Sequence, residues 1–133
     1  GYLIYEIYKI LNNKVYGLEI SKYAITNSKK EIKKFIKYGN AKNLPFKKNS
    51  FDLAISINTF HNLEIENLFK AINQINTVAK KKYIVVDSFR NEKERINLMS
   101  WQLTCNAFFN VKEWEWILKK NKYNGDYSFI FYD

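Results

Sequence analysis

Between Tyr38 and Asn62 the chain reads YGNAKNLPFKKNSFDLAISINTFHN, and this segment confines the fold more than any other. It parses as a short strand, a polar turn, a loop carrying Pro45 and an Asn-Ser turn at Asn49-Ser50. An apolar strand from Phe51 to Ile57 and a helix entry near Asn62 follow. About twenty residues upstream, KVYGLEI forms another strand that ends on a carboxylate, Glu19. Neighbouring strands that each end on a hydrogen-bonding group suit a parallel α/β sheet holding a nucleoside at its carboxyl edge.

The remaining segments supply the helices such a sheet needs. Leu3, Ile4, Ile7, Ile10 and Leu11 recur at helical spacing, with a stop at Asn12-Asn13, because asparagine tolerates the left-handed conformation. Ser21 is an N-cap for a helix expected to run to about Lys34, and Ile36 to Tyr38 is a brief strand. Asn62 is expected to cap a helix whose apolar stripe is Ile65, Leu68, Phe69, Ile72, Ile75 and Ala79. Tyr83 to Val86 reads as a strand covered on both faces. A helix is expected from about Lys93 to Cys105. Asn110 with Glu113 makes a capping-box variant opening a helix to about Asn121, and Gly125 frees the chain for a last strand, Tyr127 to Tyr132. Strands alternating with helices in this way predict a mostly parallel sheet with helices on both faces and the functional strand ends on one edge.

Composition narrows the function classes. At 133 residues, 47% hydrophobic, the chain is one domain at most, with enough apolar side chains for a core. Its single cysteine, Cys105, rules out an internal disulfide framework and fits a reducing compartment, so a cytoplasmic location is expected. No apolar run reaches the roughly 18 residues of a membrane span, and no signal peptide is visible, since Glu6 and Lys9 interrupt Tyr2 to Leu11. The first residue is Gly1 rather than Met and opens directly on a helical pattern, which reads as a fragment. A net charge of +9 describes solvated helix faces first and a polyanionic partner second, the patches being KKEIKK and AKKK. One histidine and one distant cysteine give no ligand set with metal spacing, so no metal is expected.

The segment Gly39, Asn40, Ala41, Leu44, Pro45, Phe46, Ser50, Phe51, Asp52, Leu53, Ser56, Phe60 and His61 is in register with a pattern found in many class I S-adenosylmethionine-dependent methyltransferases. The chain resembles that family from Gly1 to about Phe89, more loosely beyond. The resemblance implies a Rossmann-like three-layer α/β/α sandwich with a mostly parallel sheet. The usual first, central strand, between the strands of Glu19 and Asp52, is lacking, as is most of the glycine-rich loop. It implies a single partial domain over residues 1–133, S-adenosylmethionine as cofactor, and methyl transfer to a small-molecule or macromolecular acceptor.

Residue by residue, Gly1 stands for the last glycine of the family's loop, where the backbone approaches the methionine part of the cofactor. Glu19 would accept both ribose hydroxyls and Ile20 would lie against adenine. Asn40, where similar enzymes often have Asp, would accept from the adenine 6-amino group through its carbonyl oxygen, and Ala41 would offer its amide. Backbone groups at Ser56 and Ile57 would hold the methionine amino group. Each also has a plainer role: start residue for Gly1, core packing for Ile20, turn residue for Asn40. His61 is expected to pack at a helix start rather than act as a base, and Asp52 to be structural. Asp87, ending a strand at the same edge, would orient an amine or hydroxyl acceptor. Trp101, Phe108, Phe109, Trp114 and Trp116 would wall an acceptor pocket or fill the core. No catalytic residue is assigned, in keeping with a reaction in which the sulfonium carbon is already activated and the protein aligns the acceptor.

A chain lacking the central strand is expected to bind cofactor weakly. Its unpaired strand edges would close on each other or on a second copy. Two other readings stay open: a nicotinamide-dependent oxidoreductase on the same sheet, and a basic RNA-binding or interaction module without catalysis, nucleic acid being the lesser reading. The acceptor atom is not legible.

Overall fold

The computed structural model describes residues 1–12 and 15–133. The chain forms two compact units, Gly1–Pro45 and Phe46–Asp133. The fold is α/β, as expected, and among the described residues every pairing between strands is parallel, where a mostly parallel sheet was expected. Among the described residues the strands form two sheets, one of two strands and one of three.

The first unit holds α1 (Tyr2–Leu11), β1 (Gly17–Glu19), α2 (Lys22–Thr26), α3 (Lys30–Lys33) and β2 (Ile36–Tyr38). Asn12 ends α1 in the left-handed region at φ 41° and donates its amide to Tyr8. The expected Asn13 part of that stop lies outside the described residues. Ser21 caps α2 as expected, its Oγ accepting from the Ala24 amide at 3.1 Å. The single helix expected over 21–34 is instead broken in two. Ser28 donates both its amide and its hydroxyl to the Ile25 carbonyl, the acceptor a continuing helix would give to the Lys29 amide, while the Asn27 side chain adds a second bond to the Tyr23 carbonyl. Ile32, fully buried, anchors the second piece.

The second unit holds β3 (Phe51–Ile57), a 3-10 turn (Phe60–Asn62), α4 (Ile65–Val78), β4 (Ala79–Asp87), α5 (Glu92–Trp101), α6 (Val111–Lys120) and β5 (Asp126–Ile130). The sheet order is β3-β4-β5, so β4 is central and β3 an edge. Leu68, Ala71, Ile72, Ile75 and Val78 of α4 are buried with Ile84, Val85 and Val86 of β4, and they make the core. Each fully buried aliphatic side chain of this kind contributes about 1.5–3 kcal/mol. Leu53, Ile55 and Ile57 of the edge strand remain exposed.

Several boundaries differ from expectation, each for a visible reason. Asn62 does not cap α4, which starts after Glu64; its side chain instead donates to the Asn58 carbonyl and accepts from the Thr104 hydroxyl. Ile65 of the expected stripe is half exposed, and Ala79 already belongs to β4. The AKKK run is therefore the start of the central strand and not a helix end. Lys80 pairs with Asp52, and Lys82, 5% exposed, reaches the Asn124 side chain. The helix expected to reach Cys105 stops at Trp101, where Gln102 turns its amide inward to Asp87. The capping box at Asn110 and Glu113 is present with both reciprocal bonds. A side chain at Gly125 would collide with the Lys82 carbonyl at 2.6 Å, so glycine lets β5 close onto β4. Among the described residues no helix is long and apolar enough to cross a membrane.

Candidate functional site

In the first unit the parallel register sets Glu19 beside Tyr38, and the Gly39 amide donates to the Glu19 carbonyl at 3.0 Å. Glu19 and Asn40 thus leave the same rim from adjacent strands. The Glu19 side chain is half-buried and directed by its own loop: Oε1 accepts from the Ser21 amide at 2.8 Å, and among the described residues Oε2 has no partner. Ser21 does two jobs here, capping α2 with its hydroxyl and aiming Glu19 with its amide. This aiming was not read from the sequence, although the Glu-x-Ser spacing before a helix is the signal that carries it. Ile20 projects at 61% exposure, an apolar surface next to the carboxylate.

Asn40 sits in the turn that follows β2. Its Oδ1 accepts from the Lys42 amide at 3.1 Å, and its carbonyl accepts from the Asn43 amide. The turn role is therefore real, yet an amide oxygen has two lone pairs and one remains. Ala41 is half-buried at the crest of this turn. Gly39 lets the turn sit down on β1, since a Cβ there would lie 2.7 Å from Leu18 Cδ1. Gly1 caps α1 and packs on Ile32 and Ser28.

Ser56 and Ile57 end β3 in the second unit. The Ser56 hydroxyl is buried and has no hydrogen-bond partner among the described residues, and the Ile57 carbonyl accepts from the Thr59 hydroxyl at 3.2 Å. Asn58 turns the chain in the left-handed region at φ 53°, which asparagine tolerates better than most residues.

His61 and Asp87 form a buried pair in that unit, 1% and 0% exposed. His61 Nδ1 accepts from the Asp87 amide at 3.1 Å while Nε2 lies 3.6 Å from Asp87 Oδ2. Nδ1 is held by the Asp87 backbone and Nε2 faces the same residue's carboxylate with the ring 1% exposed, which suits packing at a helix start. Gln102 donates to Asp87 Oδ2 at 2.5 Å, and the Trp114 indole donates to the Asp87 carbonyl at 3.2 Å. Asp87, expected to face an acceptor, is thus enclosed, with Oδ1 lacking a partner among the described residues. Sequence reasoning missed Gln102, and nothing local could have revealed a contact across 15 residues. Cys105 is buried nearby, and burial pushes its thiol up to about 11.

Of the tail aromatics, Trp114 is core, fully buried and edge-on to Phe109. Trp101 and Trp116 are exposed, and Phe109 and Trp116 border an open apolar groove with Ile65, Phe69 and Ile117. Among the described residues no group of His, Cys, Asp and Glu could hold a metal.

Burial holds the His61 imidazole below its ordinary value, against the opposing pull of Asp87. The amide bond to Nδ1 acts in the same direction, since protonating that nitrogen breaks it. A depressed histidine gives stability that is complete above the unfolded value, near pH 6.5, and lost as pH falls below it, because the unfolded chain then takes a proton that the folded one refuses. With one histidine in the chain, urea midpoints should be flat from about pH 8 to 7 and decline toward pH 5, by at most about 1.4 kcal/mol per pH unit. His61→Asn should lower the plateau and flatten the decline; an unchanged slope in the variant would count against this assignment.

With the geometry in hand, comparison with known proteins is informative. A family model described as a methyltransferase domain matches residues 1–86. An uncharacterized protein of Methanocaldococcus jannaschii is 36% identical over 117 residues, covering 88% of this chain and 44% of that protein. Among solved structures, the MccD protein superposes with a TM-score of 0.66 at 19% identity, over 88% of this chain and 57% of its own. A Thermotoga maritima SAM-dependent methyltransferase, described as a possible histamine N-methyltransferase, gives 0.53 at 24% identity, over 91% and 70%. The chain therefore spans about half the length of the first two proteins it matches.

Proposed function

This chain belongs to the methyltransferase-domain family, and from that premise we propose that it binds the adenosine part of S-adenosylmethionine at the rim of β1 and β2 and serves methyl transfer to an acceptor. The observation that carries the reading is the juxtaposition of Glu19 and Asn40 on that rim, joined by the Gly39 amide on the Glu19 carbonyl.

The donors and acceptors present fit the group. A nucleoside asks for an anionic acceptor for its ribose hydroxyls, a neutral acceptor for its 6-amino group and an apolar surface for its ring. Glu19 offers Oε2 with Oε1 braced by Ser21, Asn40 offers its second lone pair, and Ile20 offers exposed hydrocarbon. Bracing matters, because a carboxylate already oriented gives up less side-chain freedom on binding. The Ala41 amide and Gly1 extend the proposed contacts. For Ser56 and Ile57 the support is the resemblance alone. The family match runs through the boundary at Pro45, which supports taking both units as one methyltransferase domain.

The cofactor when bound supplies an electrophilic methyl group on a positively charged sulfur. The chain's own residues bind and orient it. The acceptor is a small molecule or a macromolecule.

Isotope-labelled chain titrated with S-adenosylhomocysteine, followed by amide NMR, tests the reading even if binding is weak. Shifts are expected at the amides of Ile20, Ser21, Gly39, Ala41 and Lys42, with none from NADH. Shifts from NADH at these amides and none from S-adenosylhomocysteine would transfer the assignment to a nicotinamide enzyme. Silence at this rim with both ligands would end the proposal.

A further inference from the structure

Charge is unevenly divided between the two units. Residues 1–45 carry nine lysines against three glutamates, +6 of the chain's +9. Three carboxylates cannot neutralise nine ammonium groups, and Glu19 is already turned to the Ser21 amide. Four lysines of this unit lie over aromatic rings, and Lys33 donates to the Thr26 carbonyl. Lys29 Nζ lies 3.7 Å from the centroid of Tyr5 and 5.8 Å from that of Tyr2, and Lys9, held also by Glu6, lies 5.2 Å from Tyr5. Lys34 lies over Phe35 and Lys22 over Tyr38. Tyr2 is 81% exposed, and Lys30, Lys33 and Lys34 are exposed beside Lys29 along α3. In the second unit, by contrast, lysines and arginines meet carboxylates: Lys70 with Glu66, Lys80 with Asp52, Arg95 with Glu92.

We propose that this face of the first unit, built from Tyr2, Tyr5, Lys9, Lys29 and the lysines of α3, docks single-stranded nucleic acid. The chemistry is complementary on both counts. Uncompensated ammonium groups take backbone phosphates with release of counterions. The open ring of Tyr2 takes an unpaired base by stacking, which a duplex cannot offer. The existing lysine–ring contacts are exposed and worth only about 0.5–1 kcal/mol each, so exchanging them for phosphate and base costs little. A membrane surface is the weaker match. A helix lying in a bilayer interface carries its basic residues on its own polar face, whereas α1 has one lysine, Lys9, already held by Glu6, and the rest of the charge lies on other segments. The inference stands apart from cofactor binding and survives its failure.

The test is fluorescence anisotropy of the full chain with a labelled oligouridylate of about 20 nucleotides, longer than one binding site. Saturable binding is expected, and with four phosphates engaged its affinity should fall about 50-fold between about 50 and 200 mM salt. The pair Lys29→Ala with Lys30→Ala should weaken binding and reduce the log–log salt slope by about 1.4, while Lys→Arg at both positions keeps it. Tyr2→Ala should weaken binding about 5- to 150-fold with the slope unchanged. Lys119→Ala with Lys120→Ala on α6 should do nothing. The proposal is overturned by absence of binding at the lower salt, by equal affinity for a duplex of the same length, or by equal sensitivity to the α6 pair. Binding to anionic phosphatidylserine vesicles that the Lys29/Lys30 pair abolishes, without binding to the oligonucleotide, would overturn it in favour of a membrane. All substituted side chains are exposed, so loss of fold does not confuse the outcome.

Discussion

Trp114→Ala is expected to remove about 3–5 kcal/mol of folding stability, the range for emptying a buried aromatic site. Trp114 is fully buried, edge-on to Phe109 with centroids 5.5 Å apart, and its indole donates to the Asp87 carbonyl at 3.2 Å. The substitution leaves both a cavity and a buried carbonyl without its donor, and the second defect alone costs about 1–3 kcal/mol. It also falls where Asp87 gathers His61 and Gln102, so three elements lose alignment together. Domains of ordinary stability hold about 5–15 kcal/mol, and the variant should therefore be marginal at room temperature. Urea denaturation followed by far-UV circular dichroism measures the change. Trp114→Phe, which keeps most of the ring but not the donor, should retain over half of the loss-free stability. A Trp114→Ala variant within 1 kcal/mol of the parent would show that the hub does not hold the unit together.

Glu19→Ala should be the most damaging change to nucleoside binding, raising the dissociation constant for S-adenosylhomocysteine about 10- to 150-fold. That figure converts the roughly 1.5–3 kcal/mol of hydrogen bonding to a charged group. The loss is local, because the bond that joins the strands at this rim uses the Glu19 backbone carbonyl and survives the substitution. Glu19→Gln keeps an oxygen for the Ser21 amide but removes the charge, so its effect should fall between parent and alanine. Asn40→Ala removes a neutral acceptor and should cost less, about 0.5–1.5 kcal/mol, while Asn40→Asp should leave binding intact or strengthen it. Chemical-shift titration gives all four constants and reports folding in the same spectra. Equal affinity in parent and Glu19→Ala would move the ribose elsewhere.

What could be read from the residues was what local chemistry dictates. Asn12 at a helix end, Ser21 at a helix start and the reciprocal pair Asn110 and Glu113 each act within four residues of themselves, and each stands where it was expected. The common rim of Glu19 and Asn40 was legible too, since parallel strands of known order put their ends together. The failures lie where distant parts of the chain decide. Lys80, Lys81 and Lys82 look like a solvated run, yet the central strand claims them because Ile84, Val85 and Val86 behind them must be buried. Residues 21–34 are the exception, a local miss: they have the makings of one helix, but Ser28 turns back on the Ile25 carbonyl and ends it. Asp87 was read as facing an acceptor and Trp114 as pocket wall or core; both lie inside, the Trp114 indole donating to the Asp87 carbonyl. Gln102 gave no sign at all.

The solitary thiol of Cys105 has a practical consequence. Enclosed, and with its proton held to about pH 11, it offers an alkylating reagent neither access nor thiolate while the chain is closed. Its labelling rate therefore acts as a clock for spontaneous opening around the Asp87 hub. It counts excursions without any engineered reporter and without disturbing a single contact.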